Sequence, residues 1–223
     1  MPHQDYIGPD GEPWPSATEL TSLLPQAWIL AWYKASVKKW GWRGWQHNLA
    51  LSNRGLRIGT DVHALLEGFI HKKDVTVRPK YDSQAIADAL FDAVNPSIDE
   101  YVAVEPHLIS TRYRMHGTAD LVVRINYETG LWVGDWKTSA KQSETHPIQL
   151  AVYALMWNES HPDQLIDQGF IARVDKKSKG LKVKIDRWPD KDKGTPPLSA
   201  FFPVVKALRV IYDYINGAGD YKN

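Results

Sequence analysis

The segment GTADLVVRINYETGLWVGDWKTS, which spans residues 117–139, contains the pattern that decides the fold. Two runs of β-branched and aromatic residues flank a turn-forming stretch at 126–130, so the segment predicts an antiparallel β-hairpin. Asp120 begins the first run, while Asp135 and Lys137 end the second run. Residues two apart on a strand project to the same face. We therefore expect Asp135 and Lys137 to point together, with Asp120 nearly opposite them.

These three side chains indicate metal-assisted hydrolysis of a phosphodiester bond. Two neighbouring carboxylates repel each other and need a cation to stay ionised together. A hard divalent metal bound by oxygen ligands supplies that charge, and Mg²⁺ is the natural choice. A lysine beside such a metal can orient an attacking water and help it to lose its proton. A structural Asp–Lys pair at a strand end is the other interpretation, and it stays open at this point.

The rest of the chain alternates between helical and strand-like periodicity. Ser16 and Glu19 have the spacing of a helix capping box. Helices are predicted after Pro25 and before Gly41 and Gly44, then over 53–71, 83–94, 147–158 and 198–215. Strands are predicted over 101–109, 113–125, 131–137, 168–174 and 181–188. This order predicts a mixed α/β fold with a central sheet covered by helices.

We expect a single domain, because 223 residues suit one globular unit. Within residues 1–223 the pattern predicts an irregular lead-in over 1–18, a tryptophan-rich helical part over 19–50, a motif-bearing core over 53–160, and C-terminal strands with a closing helix over 165–217.

Composition excludes several classes of chemistry. The chain has no cysteine, which rules out disulfides, thiolate metal sites, iron–sulfur clusters and cysteine catalysis. The N-terminus has no apolar signal core, and the longest apolar run, at 27–33, is too short to cross a bilayer. We therefore expect a cytoplasmic protein without membrane contact. No phosphate-binding loop motif occurs, so ATP-driven unwinding of a substrate would have to come from a partner.

The formal net charge is only +1, but the basic residues are unevenly distributed. No acidic residue lies between Glu19 and Asp61, a stretch that contains half of the ten tryptophans. Basic groups interleaved with aromatic rings can hold phosphates and stack on bases, although the same pattern also suits a solvated lysine face beside an aromatic core helix. A second basic cluster runs from Arg173 to Lys184. The expected nucleic-acid contacts are Lys34, Lys38, Lys39, Arg43, Arg54, Arg57, Trp42 and Trp45.

Helical spacing adds further polar candidates. His63 and Glu67 lie four residues apart and share one face of a predicted helix. A neutral imidazole at His63 could complete a metal shell, and Glu67 could orient it or bind a second ion. Gln149 and Tyr153 have the same spacing and can hydrogen-bond phosphate oxygens or bases. Glu105, an acid between apolar residues, is a further candidate carboxylate. A core histidine at position 63 and an edge-strand charge at position 105 are the alternatives.

Together these pieces resemble the PD-(D/E)XK nuclease superfamily, in particular its RecB-like branch of exonucleases. They resemble, in chain order, the helix that gives a histidine to the metal, the first-aspartate strand, the acid-x-lysine strand and the glutamine–tyrosine helix. Each motif is weakly specific alone, whereas four in order are a specific signal. The matching stretches are Gly59-x-x-x-His63, Gly117-Thr118-Ala119-Asp120, Asp135-Trp136-Lys137-Thr138-Ser139 and Gln149-Leu150-Ala151-Val152-Tyr153.

The resemblance implies a restriction-endonuclease-like core, a mixed β-sheet flanked by helices, and a divalent cofactor. The cofactor implied is Mg²⁺, with Mn²⁺ as a substitute, and no iron–sulfur cluster. Lys137 is implied to position or activate water, while Gln149, Tyr153 and Glu105 support the catalytic site. The implied metal ligands are His63, Asp120, Asp135, the Trp136 carbonyl oxygen and, with weaker motif support, Glu67.

The resemblance also implies a function, a metal-dependent DNA exonuclease of recombination, repair or phage replication. Duplex or single-stranded DNA ends are the expected substrate, in the cytoplasm of a bacterial or phage-infected cell. A single-strand annealing protein, a helicase or further copies of this chain are compatible partners. A structure-specific endonuclease, or a non-catalytic DNA-binding or assembly protein with the same fold, stays open as an alternative. The presence of both aspartates and Lys137 argues against the non-catalytic alternative.

Overall fold

A computed structural model describes residues 6–24, 27–41, 43–77, 82–175 and 180–217 of the chain. Five strands form the central sheet, in the order β3-β6-β7-β8-β9. They are β3 (Ile98–Val104), β6 (Leu121–Ile125), β7 (Leu131–Lys137), β8 (Ile166–Asp175) and β9 (Lys182–Trp188). The β7–β8 pair is parallel and the other three pairs are antiparallel. The mixed α/β fold predicted from the sequence is therefore confirmed.

Two smaller β-ribbons accompany the central sheet. The first joins β1 (Tyr6–Ile7) to β2 (Pro13–Trp14), and the second joins β4 (His107–Ser110) to β5 (Met115–Thr118). The predicted irregular lead-in over 1–18 is thus wrong in part, because its described residues contain a short hairpin and the first residues of a helix. Turns at Gly8 and Gly11 close this hairpin, with backbone hydrogen bonds that proline-rich composition alone does not reveal.

The described residues contain six α-helices. They are α1 (Ala17–Ser22), α2 (Ala27–Trp40), α3 (Arg43–His71), α4 (Ser83–Val94), α5 (Thr145–Ser160) and α6 (Phe202–Asn216). The helix α2 packs on α3. The helices α1, α5 and α6 share one apolar core with one face of the sheet, and α3 and α4 share a second core with the other face. The crossover from β7 to the parallel strand β8 runs through α5.

Local signals explain where α1 and α2 begin or end. The predicted capping box at Ser16 is confirmed, because the Glu19 backbone donates to the Ser16 hydroxyl while the Glu19 carboxylate accepts from the Ser16 backbone. Gly41 has a φ of +60°, a conformation that favours glycine, and it follows the end of α2. Gly44 does not break the helix as expected. It lies inside α3, where a Cβ would come 2.4 Å from the Ser36 carbonyl oxygen, so glycine permits close packing of α2 on α3.

Three predicted elements differ most from the structure. The third helix of the chain begins at Arg43 rather than at residue 53. The strand expected over 101–109 is two strands, because Glu105 adopts a φ of +49° and Pro106 has no N–H to donate. The strand expected over 113–125 is likewise divided, into β5 and β6. Among the described residues, no helix combines the length and the apolar character needed to cross a membrane.

Candidate active site at the end of the central sheet

The site forms where β6 begins and β7 ends. Leu121 pairs with Gly134, so the preceding Asp120 lies beside Asp135 of the neighbouring strand. The predicted juxtaposition of the two aspartates is therefore confirmed. The Trp136 backbone N–H donates to Asp120 Oδ2 at 2.7 Å, which fixes the orientation of this buried carboxylate. A strand backbone thus holds the first acid in place.

A histidine from α3 and an acid from the end of β3 complete a three-residue group with Asp120. One ligand atom from each of His63, Glu105 and Asp120 lies within 4.8 Å of the others. His63 Nδ1 is 3.4 Å from Asp120 Oδ1 and 3.7 Å from Glu105 Oε1. His63 Nε2 is 3.2 Å from the Trp136 carbonyl oxygen. Both ring nitrogens therefore face oxygen atoms.

The left-handed conformation of Glu105 helps to bring this group together. Its φ of +49° ends β3 and turns the chain into β4. The Glu105 backbone N–H still donates to the Asp120 carbonyl oxygen at 2.9 Å, so the two acids stay in register. Non-glycine residues in this region cost free energy and occur often at functional sites.

The buried Asp135 and the half-buried Lys137 form an ion pair on the same face of β7. Lys137 Nζ donates to Asp135 Oδ1 at 2.8 Å and lies 2.6 Å from Oδ2, so the ammonium contacts both carboxylate oxygens. Asp135 is 1% exposed. The geometry places the ammonium next to two carboxylates, as the sequence predicts.

The electrostatics of these groups are strongly coupled. Burial raises the pKa of Asp135 to about 6, since the nearby Asp120 carboxylate adds to the effect and Lys137 only partly offsets it. Burial also opposes charge on His63, but Asp120 and Glu105 outweigh it and raise the His63 pKa well above its usual value. For Asp120, burial is outweighed by His63, Lys137 and the Trp136 N–H, so its pKa is lowered.

Gln149 and Tyr153 on α5 face the same cluster. Gln149 Nε2 donates to the Tyr153 hydroxyl oxygen at 2.8 Å. Tyr153 is buried, and burial together with the carboxylates of Asp135 and Asp120 raises its pKa well above the usual value. The phenol therefore remains neutral, and its O–H is free to act as a donor toward acceptors near the carboxylates.

The donor set suits a hard divalent cation. It combines carboxylate oxygens, one carbonyl oxygen and one imidazole. The negative charge of the carboxylates exceeds the positive charge of Lys137. His63 Nδ1 faces the oxygens of Asp120 and Glu105, and the buried carboxylate of Asp135 offers a further oxygen nearby. The residues present therefore fit a metal ion.

Several predicted residues lie apart from this cluster. Glu67 is exposed on α3 and is not a member of the group formed by His63, Glu105 and Asp120. Trp42 and the Trp45 side chain lie outside the described residues. The predicted nucleic-acid contacts that are described, all exposed on α2 and α3, are Lys34, Lys38, Lys39, Arg43, Arg54 and Arg57.

A second buried charge pair was not expected from the sequence. Arg173, which the sequence places in a basic cluster, is buried and paired with Asp186 of β9. It also donates from Nη1 to the Ala140 carbonyl oxygen in the loop that follows Lys137. An arginine inside the apolar run of β8 was the available signal, because an unpaired charge is rarely buried there.

A comparison with protein-family models finds a family whose matched segment includes most of these site residues. The family model of the PD-(D/E)XK nuclease superfamily matches residues 92–195. The matched segment contains Glu105, Asp120, Asp135 and Lys137, whereas His63 lies before it. The resemblance to this superfamily is therefore confirmed, and the match supports a nuclease activity. A search of curated proteins finds no match.

Two solved structures are similar to the chain. A structure named "Putative exonuclease" from Eubacterium rectale has 13% sequence identity and a TM-score of 0.44, with 74% of this chain and 69% of that chain covered. The structure of SSO0001 has 16% identity and a TM-score of 0.33, with 62% of this chain and 63% of that chain covered. The chain therefore spans less than two thirds of the second protein's chain.

Proposed function

We propose that the chain is a metal-dependent deoxyribonuclease that acts as an exonuclease. The observation that carries this proposal is the convergence of His63, Glu105 and Asp120 beside the buried Asp135–Lys137 pair. A purely structural ion pair would not need two further acids and a histidine around it. The choice of an exonuclease over an endonuclease follows from the resemblance of the four motifs to the RecB-like branch.

His63, Asp120 and Glu105 would hold the metal. The Asp135 carboxylate and the Trp136 carbonyl oxygen would be further ligands, as the resemblance implies. Bound Mg²⁺, or Mn²⁺ in its place, would supply Lewis acidity toward a phosphate oxygen and a more acidic water. Lys137 would orient the attacking water from Nζ and stabilise the charge that develops on the phosphate. Tyr153 and Gln149, which are hydrogen-bonded to each other on α5, would support this arrangement.

The basic arm, which we define as α2 with residues 43–57 of α3, is the proposed DNA-binding surface. Its two helices are held together by the close approach at Gly44 and by a 2.7 Å hydrogen bond from Ser36 to Asn48. Its basic side chains are exposed, and Lys39 lies 5.0 Å from the centre of the Trp40 ring. Exposed cations on a rigid support suit phosphate contacts that are independent of sequence.

The wider setting follows from the resemblance alone. It comprises a cytoplasmic role in recombination, repair or phage replication, a helicase or annealing protein as partner, and a single domain over residues 1–223. A homo-oligomer is compatible with the proposal.

The first experiment measures cleavage of linear duplex DNA labelled separately at each end, next to a closed circle. Wild type, Lys137→Ala and the control Lys206→Ala, an exposed lysine of α6, are incubated with Mg²⁺, Mn²⁺ or EDTA. We expect metal-dependent loss of the linear DNA only, which Lys137→Ala loses and Lys206→Ala retains. Cleavage of the closed circle, which has no ends, would show that the protein is an endonuclease and not an exonuclease. DNA binding without cleavage in either metal would favour the non-catalytic alternative.

The same preparation tests the basic arm. In Ca²⁺, Lys38→Glu/Lys39→Glu should bind DNA more weakly and with a shallower dependence on salt than wild type. An unchanged salt dependence would assign this face to solvent rather than to DNA.

A further inference from the structure

Three rings meet on the surface of the β4–β5 ribbon, and we call them the ring cluster: Tyr6, His107 and His116. The Tyr6 ring stacks on His116 with centroids 4.8 Å apart and planes 28° apart. His107 meets both other rings edge-on, with centroids 5.7 Å away in each case. This compact group of π-faces has no part in the metal group described above.

The ring cluster lies on the outer face of its ribbon. Side chains alternate along β4 and β5, so Leu108, Ser110, Met115 and Gly117 are buried on the inner face. Gly117 lets this face approach α5, since a Cβ there would come 3.1 Å from the Tyr153 ring. His107 is exposed on the outer face, and Tyr6 and His116 are half-buried. A purely internal packing cluster would bury all three rings.

Backbone hydrogen bonds connect the β4–β5 ribbon to the segments that carry Glu105 and Asp120. His107 follows Glu105 by two residues, and its register partner Thr118 precedes Asp120 by two residues. The Ala119 N–H donates to the Pro106 carbonyl oxygen at 3.2 Å, which continues the ladder between the Glu105–Asp120 and His107–Thr118 pairs. His107 and Thr118 are therefore near Glu105 and Asp120 along both chain segments.

We propose that the ring cluster is a stacking subsite for one or two nucleobases of a single-stranded DNA end, adjacent to the bond that is cut. This proposal rests on the proposed nuclease function. Aromatic and imidazole rings stack on any base, because every base has a π-face. Such a subsite would hold unpaired nucleotides in place beside the metal group without reading their sequence. It would also explain why an exposed histidine is kept against two other rings so close to the acids.

The test compares His107→Ala and His107→Phe with wild type and with His161→Ala. His161 is a matched control, because its ring also stacks on a neighbour, Trp157, but at the far end of α5. Binding of a single-stranded oligonucleotide is measured in Ca²⁺, with an abasic nucleotide placed in turn at each of the terminal positions. Cleavage of the unmodified strand in Mg²⁺ is measured in parallel.

For wild type we expect one or two abasic positions to weaken binding by about 5- to 100-fold, the range for loss of one stacked base. His107→Ala should weaken binding of unmodified DNA to a similar extent and lose its sensitivity at those positions. His107→Phe should retain both properties, and His161→Ala should behave as wild type. Because His107 is exposed, its two variants should fold. Far-ultraviolet circular dichroism checks the folding of all three variants.

Two results would overturn the proposal. If wild type cuts DNA but His107→Ala binds normal and abasic strands as wild type does, the subsite is wrong while the nuclease function stands. If wild type neither cuts nor binds DNA, the proposed function fails and the subsite fails with it.

Discussion

Two buried charge clusters lie side by side in the central sheet, and they differ in how their charges are balanced. Lys137 ends β7 and is the register partner of Arg173 on β8. Around Lys137, the acids Asp120 and Asp135 and the nearby Glu105 leave an excess of negative charge. Among the described residues, Arg173 instead faces a single acid, Asp186. Each of its three guanidinium nitrogens donates a hydrogen bond to an oxygen atom.

This difference separates a reactive site from a structural one. In the first cluster the Asp135 pKa is raised to about 6 by burial and by Asp120, although Lys137 contacts both of its oxygens. In the second cluster the guanidinium ties β9 and the loop at Ala140 together. Buried charges of both kinds cost desolvation. Only the cluster with residual negative charge has an unmet demand for a cation, so charge balance rather than burial identifies the site.

The largest expected effect comes from removing one charge of the first cluster. Asp135→Asn should reduce DNA cleavage by about 10³-fold, because several kcal/mol of transition-state stabilisation depend on the metal. The same substitution should abolish the rise in melting temperature that divalent cations cause. For wild type that rise is about 3–6 °C at a tenfold excess of metal over its Kd. Cleavage rates and thermal unfolding with Mg²⁺, Mn²⁺ and Ca²⁺ check this prediction.

Asp99→Asn is the matched control, since Asp99 is exposed near the start of β3, at the opposite end of that strand from Glu105. It should leave both readouts unchanged. Full cleavage by Asp135→Asn would show that the buried pair on β7 is structural and that the comparison between the two clusters is wrong.

The second cluster should respond in stability. Asp186→Ala leaves the Arg173 charge buried without its partner, so the free energy of unfolding should fall by about 3–5 kcal/mol. Arg173→Met/Asp186→Leu, which removes both charges, should recover most of that loss. Urea unfolding of the three proteins measures both effects. A double variant no more stable than Asp186→Ala would mean that the bond to Ala140, rather than charge pairing, holds this region.

The smallest expected effect concerns His146, which lies between the two clusters. Burial and the nearby Lys137 lower the His146 pKa to about 4, and its Nδ1 accepts a hydrogen bond from the Ser143 backbone at 3.3 Å. Below pH 6.5 the unfolded chain takes up a proton that the folded chain does not, so stability is lost as pH falls from 6.5 toward 4.

His146→Asn retains an acceptor at the position of Nδ1 but does not titrate. Relative to this variant, wild type should lose about 2 kcal/mol of unfolding free energy over that interval. Urea unfolding at several pH values provides the comparison. Parallel curves for the two proteins would show that the His146 ring is not held neutral by its neighbours.

The elements whose pattern is local could be predicted from the sequence. The helix at Ser83–Val94 has the predicted bounds, and the hairpin around residues 126–130 places Asp120 beside Asp135 as expected. Apolar spacing and turn residues act within a few positions, so the sequence displays them directly.

The remaining features depend on contacts that only the tertiary structure creates. The break at Glu105 combines a left-handed backbone with a hydrogen bond from its N–H to Asp120, just before β6, which no periodicity shows. Arg173 appears in the sequence as one basic residue among several lysines, because its acid partner lies on another strand. The nearness of Glu105 to His63 likewise joins elements that are far apart in the chain.

The long helix α3 joins the basic arm to the candidate active site. Its 29 residues correspond to a length of about 44 Å. One end belongs to the basic arm, and His63, nearer the other end, reaches the acids of the site. Gly55 lies at the end of the arm and Gly59 lies between the arm and His63, and an added Cβ at either position would meet no atom closer than 4.0 Å. Each glycine weakens a helix by up to about 1 kcal/mol relative to alanine. The helix is therefore intrinsically weakest in the two turns before His63.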